Sequence, residues 1–284
     1  MRPPVLCYHR VGGPLELGIT RVGRTVFARQ MATLARRGWR TLTIEQYQQA
    51  ASPYLFPVSR LFSDGKDFLL TFDDGHASLA EYAYPVLADL GFTATTFLVT
   101  DYVGQDNRWD VPYAFRRLPQ LNWRAIESWR IRGFDFGSHS ATHRRLTWLR
   151  SEVVAAELAR SREMMVDRLG PSAGLAIAYP FGAASDRTVE LARKAGFALG
   201  FAGVWEKSTD PLRLPRSPVY VWDALPRPFA LRTGPVGTVG RFTAHIANRC
   251  SLGTTLMLAL AGRYRSSWHP PEPSGDGRPG QPGG

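Results

Sequence analysis

Leu69-Leu70-Thr71-Phe72-Asp73-Asp74-Gly75-His76 is an apolar run of strand character that stops on two adjacent carboxylates and a glycine. Carboxylates at the end of a buried strand have to be paired, protonated or bound to a metal, because a bare buried charge costs too much. Two further stretches behave in the same way. Ser138-His139-Ser140-Ala141-Thr142-His143 follows a second apolar strand, and Ala178-Tyr179-Pro180-Phe181-Gly182 closes a third. Three strand ends carrying polar or turn chemistry describe the rim of a site. The residue types suit a metal-dependent hydrolase.

Working outward, hydrophobic periodicity predicts strands over 5–8, 41–44, 66–72, 92–99, 134–137, 175–179, 197–201 and 212–219. Helices are predicted over 25–38, 45–51, 78–90, 123–132, 151–169 and 186–195. Gly38 and Gly196 serve as stops, Pro53 ends the second helix, Pro85 kinks the third, Asn122 caps the fourth and Ser151 caps the fifth. Residues 101–121 lack clean periodicity and read as a long excursion over the rim. Strands alternating with helices at this spacing imply parallel βαβ units. Reactive residues at several successive strand ends fit a barrel, whose loops at that face build the site. An open doubly wound sheet is the alternative. No G-x-G-x-x-G follows an early strand, so a dinucleotide fold has no local support.

The 284 residues allow one large domain, assigned to 1–225. A partly helical extension at 226–266 follows, in which Phe242, Ile246, Leu252, Leu256, Met257, Leu258 and Leu260 could pack on the domain or rest on a membrane surface. The Pro- and Gly-rich residues 267–284 are expected to be disordered. The net charge of +11 is nearly all arginine, with Lys66, Lys194 and Lys207 the only lysines. Such a surface favours acidic polysaccharide or peripheral contact with anionic membrane. Nucleic acid is not expected, since no compact basic stripe interleaves with aromatics. Cys7 and Cys250 are too few for a disulfide framework, and the N-terminus has neither a signal peptide nor a membrane span. Both features imply cytoplasmic residence.

His139 and His143 lie four apart at a strand end that turns at once, so both imidazoles can face one cation. With Asp74 they supply two nitrogens and one carboxylate oxygen, leaving positions open for water and substrate, as a catalytic zinc needs. Asp73, beside that ligand, can take a proton from the water. A lone H-x-x-x-H is commonly a surface pair, and a lone Asp-Asp-Gly is commonly a turn. Here both follow strands, which favours the joint metal reading. Nitrogen and oxygen donors admit Zn²⁺, with Co²⁺ or Ni²⁺ as alternates. His76 is expected to touch substrate or solvent rather than metal. Pro180 and Gly182 tighten the turn around Phe181, whose backbone N–H can then face an oxyanion, with a purely structural turn as the alternative. Either Arg213 or Arg216 could lean in and keep Asp73 ionised, the alternative being an arginine held in solvent. His9 could line the pocket or simply be hydrogen-bonded.

Together these residues resemble the polysaccharide deacetylase family, also called the NodB-homology or carbohydrate esterase family 4 group. Tyr8-His9-Arg10-Val11 resembles its opening, Thr71 to Gly75 its first motif, Ser138 to His143 its second, Tyr179 to Gly182 its third, and Leu214-Pro215-Arg216 its late strand. The resemblance covers about residues 3–221. It implies an α/β fold, a distorted (β/α)7 barrel, and metal-dependent removal of an N-acetyl group from a sugar, oligosaccharide or lipid-linked saccharide. It also implies Asp74, His139 and His143 as metal ligands, Asp73 as base and Phe181 as oxyanion donor. The arginine that often precedes the third motif is missing from Ala176-Ile177-Ala178, which leaves Arg216 as its substitute. The family's usual late histidine acid is not recognisable, and His245 lies outside any such pattern. A carbohydrate O-acetyl esterase, which needs less help from an acid, is one alternative; a non-catalytic glycan-binding homologue is another.

Overall fold

The computed structural model describes residues 2–13, 20–51, 66–109, 117–203 and 208–220. The expected stop at Pro53, residues 110–116 of the excursion, and everything from 221 to 284 lie outside them. The early elements are β1 (Val5–Tyr8), β2 (Arg10–Val11), β3 (Arg21–Val22), α1 (Arg24–Arg36), β4 (Arg40–Thr41), α2 (Ile44–Ala51) and β5 (Asp67–Phe72). Then come α3 (Tyr84–Asp89), β6 (Thr95–Leu98), α4 (Trp123–Ile131), β7 (Asp135–Ser138) and α5 (Ser151–Leu169). The chain continues with β8 (Ala176–Ala178), α6 (Asp186–Lys194), β9 (Leu199–Ala202), β10 (Leu214–Pro215) and β11 (Ser217–Pro218).

The main sheet runs β10-β9-β8-β7-β6-β5-β1-β11, all parallel, with β4 also on β5. Only Arg216 separates β10 from β11. One segment, 214–218, therefore pairs with β9 through Leu214 opposite Phe201 and with β1 through Ser217 opposite Leu6. That segment joins the two edges, which an open doubly wound sheet would leave apart. The result is a distorted barrel of (β/α) units, with seven staves when 214–218 is counted once.

Side chains alternate across each strand with period two. Val5, Leu69, Phe97, Ala176, Ala178, Leu199, Phe201 and Leu214 share one buried cluster inside the barrel. Leu6, Tyr8, Leu70 and Phe72 point outward to Phe27, Met31, Leu79 and Tyr84 of the helical layer. Each such large side chain contributes about 1.5–3 kcal/mol on burial. Gly137 faces inward, where a Cβ would lie 2.8 Å from the Phe97 ring and 3.0 Å from the Ala176 carbonyl oxygen. Only glycine lets these staves close up.

Three local expectations need correction or refinement. Ser151 is the first residue of α5 rather than its cap; Arg150 holds the cap position, without a side-chain cap bond. Residues 78–90 split into a π-helical turn, Leu79–Ala83, and α3, with Pro85 in the first turn of α3. The wider turn accommodates the donor that proline lacks. The predicted strand at 41–44 is shorter, because Ile44 already opens α2. Asn122 caps α4 as expected, its Oδ1 accepting from Ala125 N at 2.9 Å. Among the described residues no helix is long and apolar enough to cross a membrane.

Candidate metal centre

Strand parity carries the inward faces up to the rim. On β1, Val5 and Cys7 face inward, and His9 follows; on β5, Leu69 leads to Thr71 and then Asp73. Leu214 leads to Arg216 in the same way. Past each strand end the chain turns sharply. Asp74 (φ 71°), Ser140 (φ 64°), His143 (φ 61°) and Phe181 (φ 61°) are the non-glycine residues in the left-handed region among those described. Each costs about 1–2 kcal/mol relative to ordinary backbone. All four lie in the three loops that the sequence singled out, where strain is tolerated for a site's geometry. Gly75 completes the first turn at φ 76°, with a Cβ excluded by Leu98 at 2.7 Å.

These turns bring Asp74, His139 and His143 together, with one donor atom from each lying within 4.8 Å of the others. Asp74 Oδ1 is 3.2 Å from His143 Nε2 and 3.7 Å from His139 Nε2. His139 Nδ1 is 2.8 Å from the Ala178 carbonyl, which can only accept, so Nδ1 carries the proton and Nε2 presents a lone pair. Burial pushes His139 down to about 4, so its ring is neutral near pH 7. Asp74 Oδ1 is itself buried without a hydrogen-bond partner. Burial would raise the Asp74 carboxyl, but the imidazoles of His143 and His76 hold it well below the usual carboxylate range. A buried anionic oxygen and a neighbouring nitrogen lone pair repel each other unless a cation lies between them. The donor set fits a divalent ion.

Asp73 stands beside this group, 3% exposed. Arg216 grips it with two bonds, Nη1 to Oδ1 at 2.6 Å and Nη2 to Oδ2 at 2.7 Å. Burial opposes ionisation of Asp73, but the guanidinium, with His139, brings its carboxyl down to about 2. Arg213, the other candidate, turns outward to Asp186 at 2.7 Å. Parity decides between the two arginines. Cys7 Sγ is 3.5 Å and His9 Nε2 is 4.0 Å from Asp73 Oδ2. Cys7, His9 and Asp73 also cluster like metal ligands. Arg216, however, already occupies both Asp73 oxygens with positive charge.

His76 is 7% exposed, which overturns the solvent reading of this residue. Its Nδ1 is 3.2 Å from Gln120 Nε2, an amide donor, so Nε2 carries the proton and points at Asp74 Oδ2, 3.5 Å away. That leaves Oδ1 for a metal and Oδ2 for orientation, the usual division in ligating carboxylates. Phe181 sits over the centre, its ring 4.9 Å from that of His143, and the bonds of its turn are donated by Gly182 and Ala183. Trp109 packs on His143 from another side at 5.5 Å.

Glu157 was not anticipated. It reaches from α5 and accepts from Ala141 N at 3.1 Å, Thr142 N at 2.9 Å and Thr142 Oγ1 at 2.5 Å. The signal was present: Glu157 shares a helical face with Val154, Leu158, Ser161 and Met165, and a charge on a buried stripe needs a partner.

Comparison with known proteins agrees with this geometry. Residues 63–200 match the family model for polysaccharide deacetylase. The chain is 26% identical over 197 residues to the YxkH protein of Bacillus subtilis, covering 69% of this chain but only 63% of that one. It is 25% identical over 236 residues to the poly-β-1,6-N-acetyl-D-glucosamine N-deacetylase of Staphylococcus epidermidis, covering 74% of this chain and 76% of that one. Among solved structures, the Streptococcus pyogenes deacetylase PplD has the same fold, with a TM-score of 0.68 at 22% identity over 83% of this chain and 99% of that one. IcaB from Ammonifex degensii gives 0.61 at 24% identity, covering 86% and 96%. With its motif loops converging on one centre inside a barrel of this kind, the chain is similar to the polysaccharide deacetylases over residues 63–200, just under half of its length.

Proposed function

We propose that this protein is a metal-dependent hydrolase that removes an N-acetyl group from an N-acetylated sugar or surface-polysaccharide precursor. The observation that carries the reading is the placement of Asp74, His139 and His143 around one point, beside an Asp73 held ionised by Arg216. A divalent cation held by those three residues, Zn²⁺ by donor type with Co²⁺ or Ni²⁺ as alternates, would lend Lewis acidity to the acetyl carbonyl and the attacking water. Asp73 takes the proton of that water. Arg216 orients Asp73 and sets its charge. The N–H of Phe181, in its left-handed turn, faces the oxygen that becomes negative as water adds. When the C–N bond breaks, the leaving amine takes a proton from the Asp73 side of the site, where His9 also stands, and acetate departs. The names of several relatives support the N-acetyl choice.

Asp73→Asn tests the assignment. It should abolish acetate release from N-acetylated sugars while metal content, measured on the purified protein, stays near wild type. Loss of metal in that variant would make Asp73 a ligand instead. Faster release from matched O-acetyl sugars by the wild type would make the protein an esterase. A metal-loaded wild type that binds oligosaccharide but releases no acetate would leave a glycan-binding protein. Cysteine usage and basic charge favour a cytoplasmic location near the inner membrane face, where a lipid-linked saccharide is the accessible substrate. Cell fractionation at low and high salt checks that placement.

A further inference from the structure

Two of the proposed metal ligands are steadied by one stretch of chain that contributes no ligand itself. The limbs of the excursion over the rim pair with each other. Asp106 bridges Pro119, Asn107 N donates to Leu118 O at 2.9 Å, and Gln120 N donates to Gln105 O at 2.8 Å. Asn107 is 8% exposed and fastens this stem with its side chain, Oδ1 accepting from Leu118 N at 2.7 Å. The stem is tied in turn to the first motif, where Leu121 N donates to Gly75 O at 2.8 Å and Ala77 N to Pro119 O at 2.9 Å.

From one limb, Gln120 holds His76, whose Nε2 faces Asp74 Oδ2. From the other, Trp109 lies against His143, with 5.5 Å between ring centres and 38° between planes, and is braced by Tyr102 at 4.9 Å. The two histidine ligands differ in how they are held. His139 donates from Nδ1 to the Ala178 carbonyl. His143 Nδ1 is buried with no hydrogen-bond partner among the described residues. A ligating imidazole is ordinarily oriented through its second nitrogen. For His143 that task falls to rings: Trp109 on one side, with Phe181 and His139 at 4.9 Å each. Phe181 and His139 belong to the centre. Trp109 comes from outside it, so the placement of His143 depends on the stem.

We propose that Trp109 is a positioning residue for His143, and that the stem of 105–107 with 118–120 orients His143 and Asp74 together, so that metal affinity depends on the stem being paired. This rests on the metal-dependent reading of the centre. Linkage makes the effect reciprocal. If loss of the stem weakens metal binding by a given factor, bound metal lowers the population of unpaired stem by the same factor.

Competitive titration against a chelator measures Zn²⁺ affinity in wild type, Trp109→Ala, Trp109→Phe, Asn107→Ala and, as a distant exposed control, Ile131→Ala. Trp109→Ala and Asn107→Ala should each weaken affinity about tenfold, although the bonds of Asn107 lie within the stem. Trp109→Phe should recover much of the loss, and Ile131→Ala should match wild type. The visible absorption of the Co²⁺-loaded protein, which reports ligand geometry, should change in Trp109→Ala and return in Trp109→Phe. Wild-type affinity in either alanine variant would overturn the proposal. Hydrogen exchange needs no variant. Saturating Zn²⁺ should slow exchange of the Asn107, Leu118 and Gln120 amides of the wild type about tenfold, with the amides of α6 as reference. Equal rates with bound metal and without it would overturn the stem's role alone, even if every variant folded poorly. A wild type that takes up no Zn²⁺ is a different result, which would refute the metal-dependent reading and this proposal with it.

Discussion

Glu157 is the residue on which the second motif depends. Its carboxylate gathers two backbone N–H groups and a hydroxyl from the loop that carries His143, and that loop holds Ser140 and His143 in left-handed backbone. Without those bonds the loop has reason to relax, since each left-handed residue costs about 1–2 kcal/mol. Glu157→Ala leaves two backbone donors and a hydroxyl of this turn without their acceptor. It should cost about 2–3 kcal/mol of stability and weaken metal affinity about 10- to 100-fold. Glu157→Gln, which keeps one acceptor oxygen, should fall between. Chemical denaturation and competitive metal titration measure both effects. Affinity equal to wild type in Glu157→Ala would remove Glu157 from the support of the metal centre. His76 makes a similar point. Its role could not be read from the chain, because it depends on Gln120, which a bridge at the rim places beside it.

The far end of the barrel has its own ionisable contact between elements. Asp135, first in β7, accepts from the N–H of Ile44, first in α2, at 2.7 Å. Burial nevertheless pushes its carboxyl up from 3.8 to about 6. A carboxyl raised in the folded state lends stability that is complete below 3.8 and is lost as pH rises through about 6. Asp135→Asn keeps an acceptor for Ile44 without the charge. Between about pH 4 and about pH 7 the stability difference should move in the variant's favour by at most about 3 kcal/mol. Parallel pH profiles of unfolding free energy for the two proteins would reveal an absent crossover, if there is none. Elements of this kind were largely legible. β1 and α5 match their predicted spans, because an apolar run bounded by prolines and a long amphipathic stripe are each unambiguous. The ends moved where distant partners decide: Ile44 joins α2 once Asp135 caps it. The predicted strand at 212–219 breaks at Arg216, because the chain leaves β9 there and joins β1.

Closure of the barrel and the charge of the proposed base are one feature of the molecule. Segment 214–218 joins β9 to β1, and at its centre Arg216 crosses to Asp73 at the end of β5. The four site residues from the first two motifs were legible locally, as carboxylates and imidazoles after strands. Arg216 was legible only as one of two candidates, since its choice over Arg213 follows from parity in a strand whose partners the sequence does not announce. Removing either member leaves the other buried, charged and alone, which typically costs about 3–5 kcal/mol. Arg216→Met should therefore destabilise the fold by that order, and Asp73→Asn should do so to a lesser degree because the amide still accepts. Combined, the two substitutions should cost less than their sum, with a coupling of about 2 kcal/mol. Acetate release should stay absent in the double variant, because stability returns without a base. Strict additivity in denaturant unfolding would mean that the pair tunes Asp73 without helping to hold the closing segment, and barrel closure would then rest on the β9 and β1 ladders with Leu214 packed in the interior.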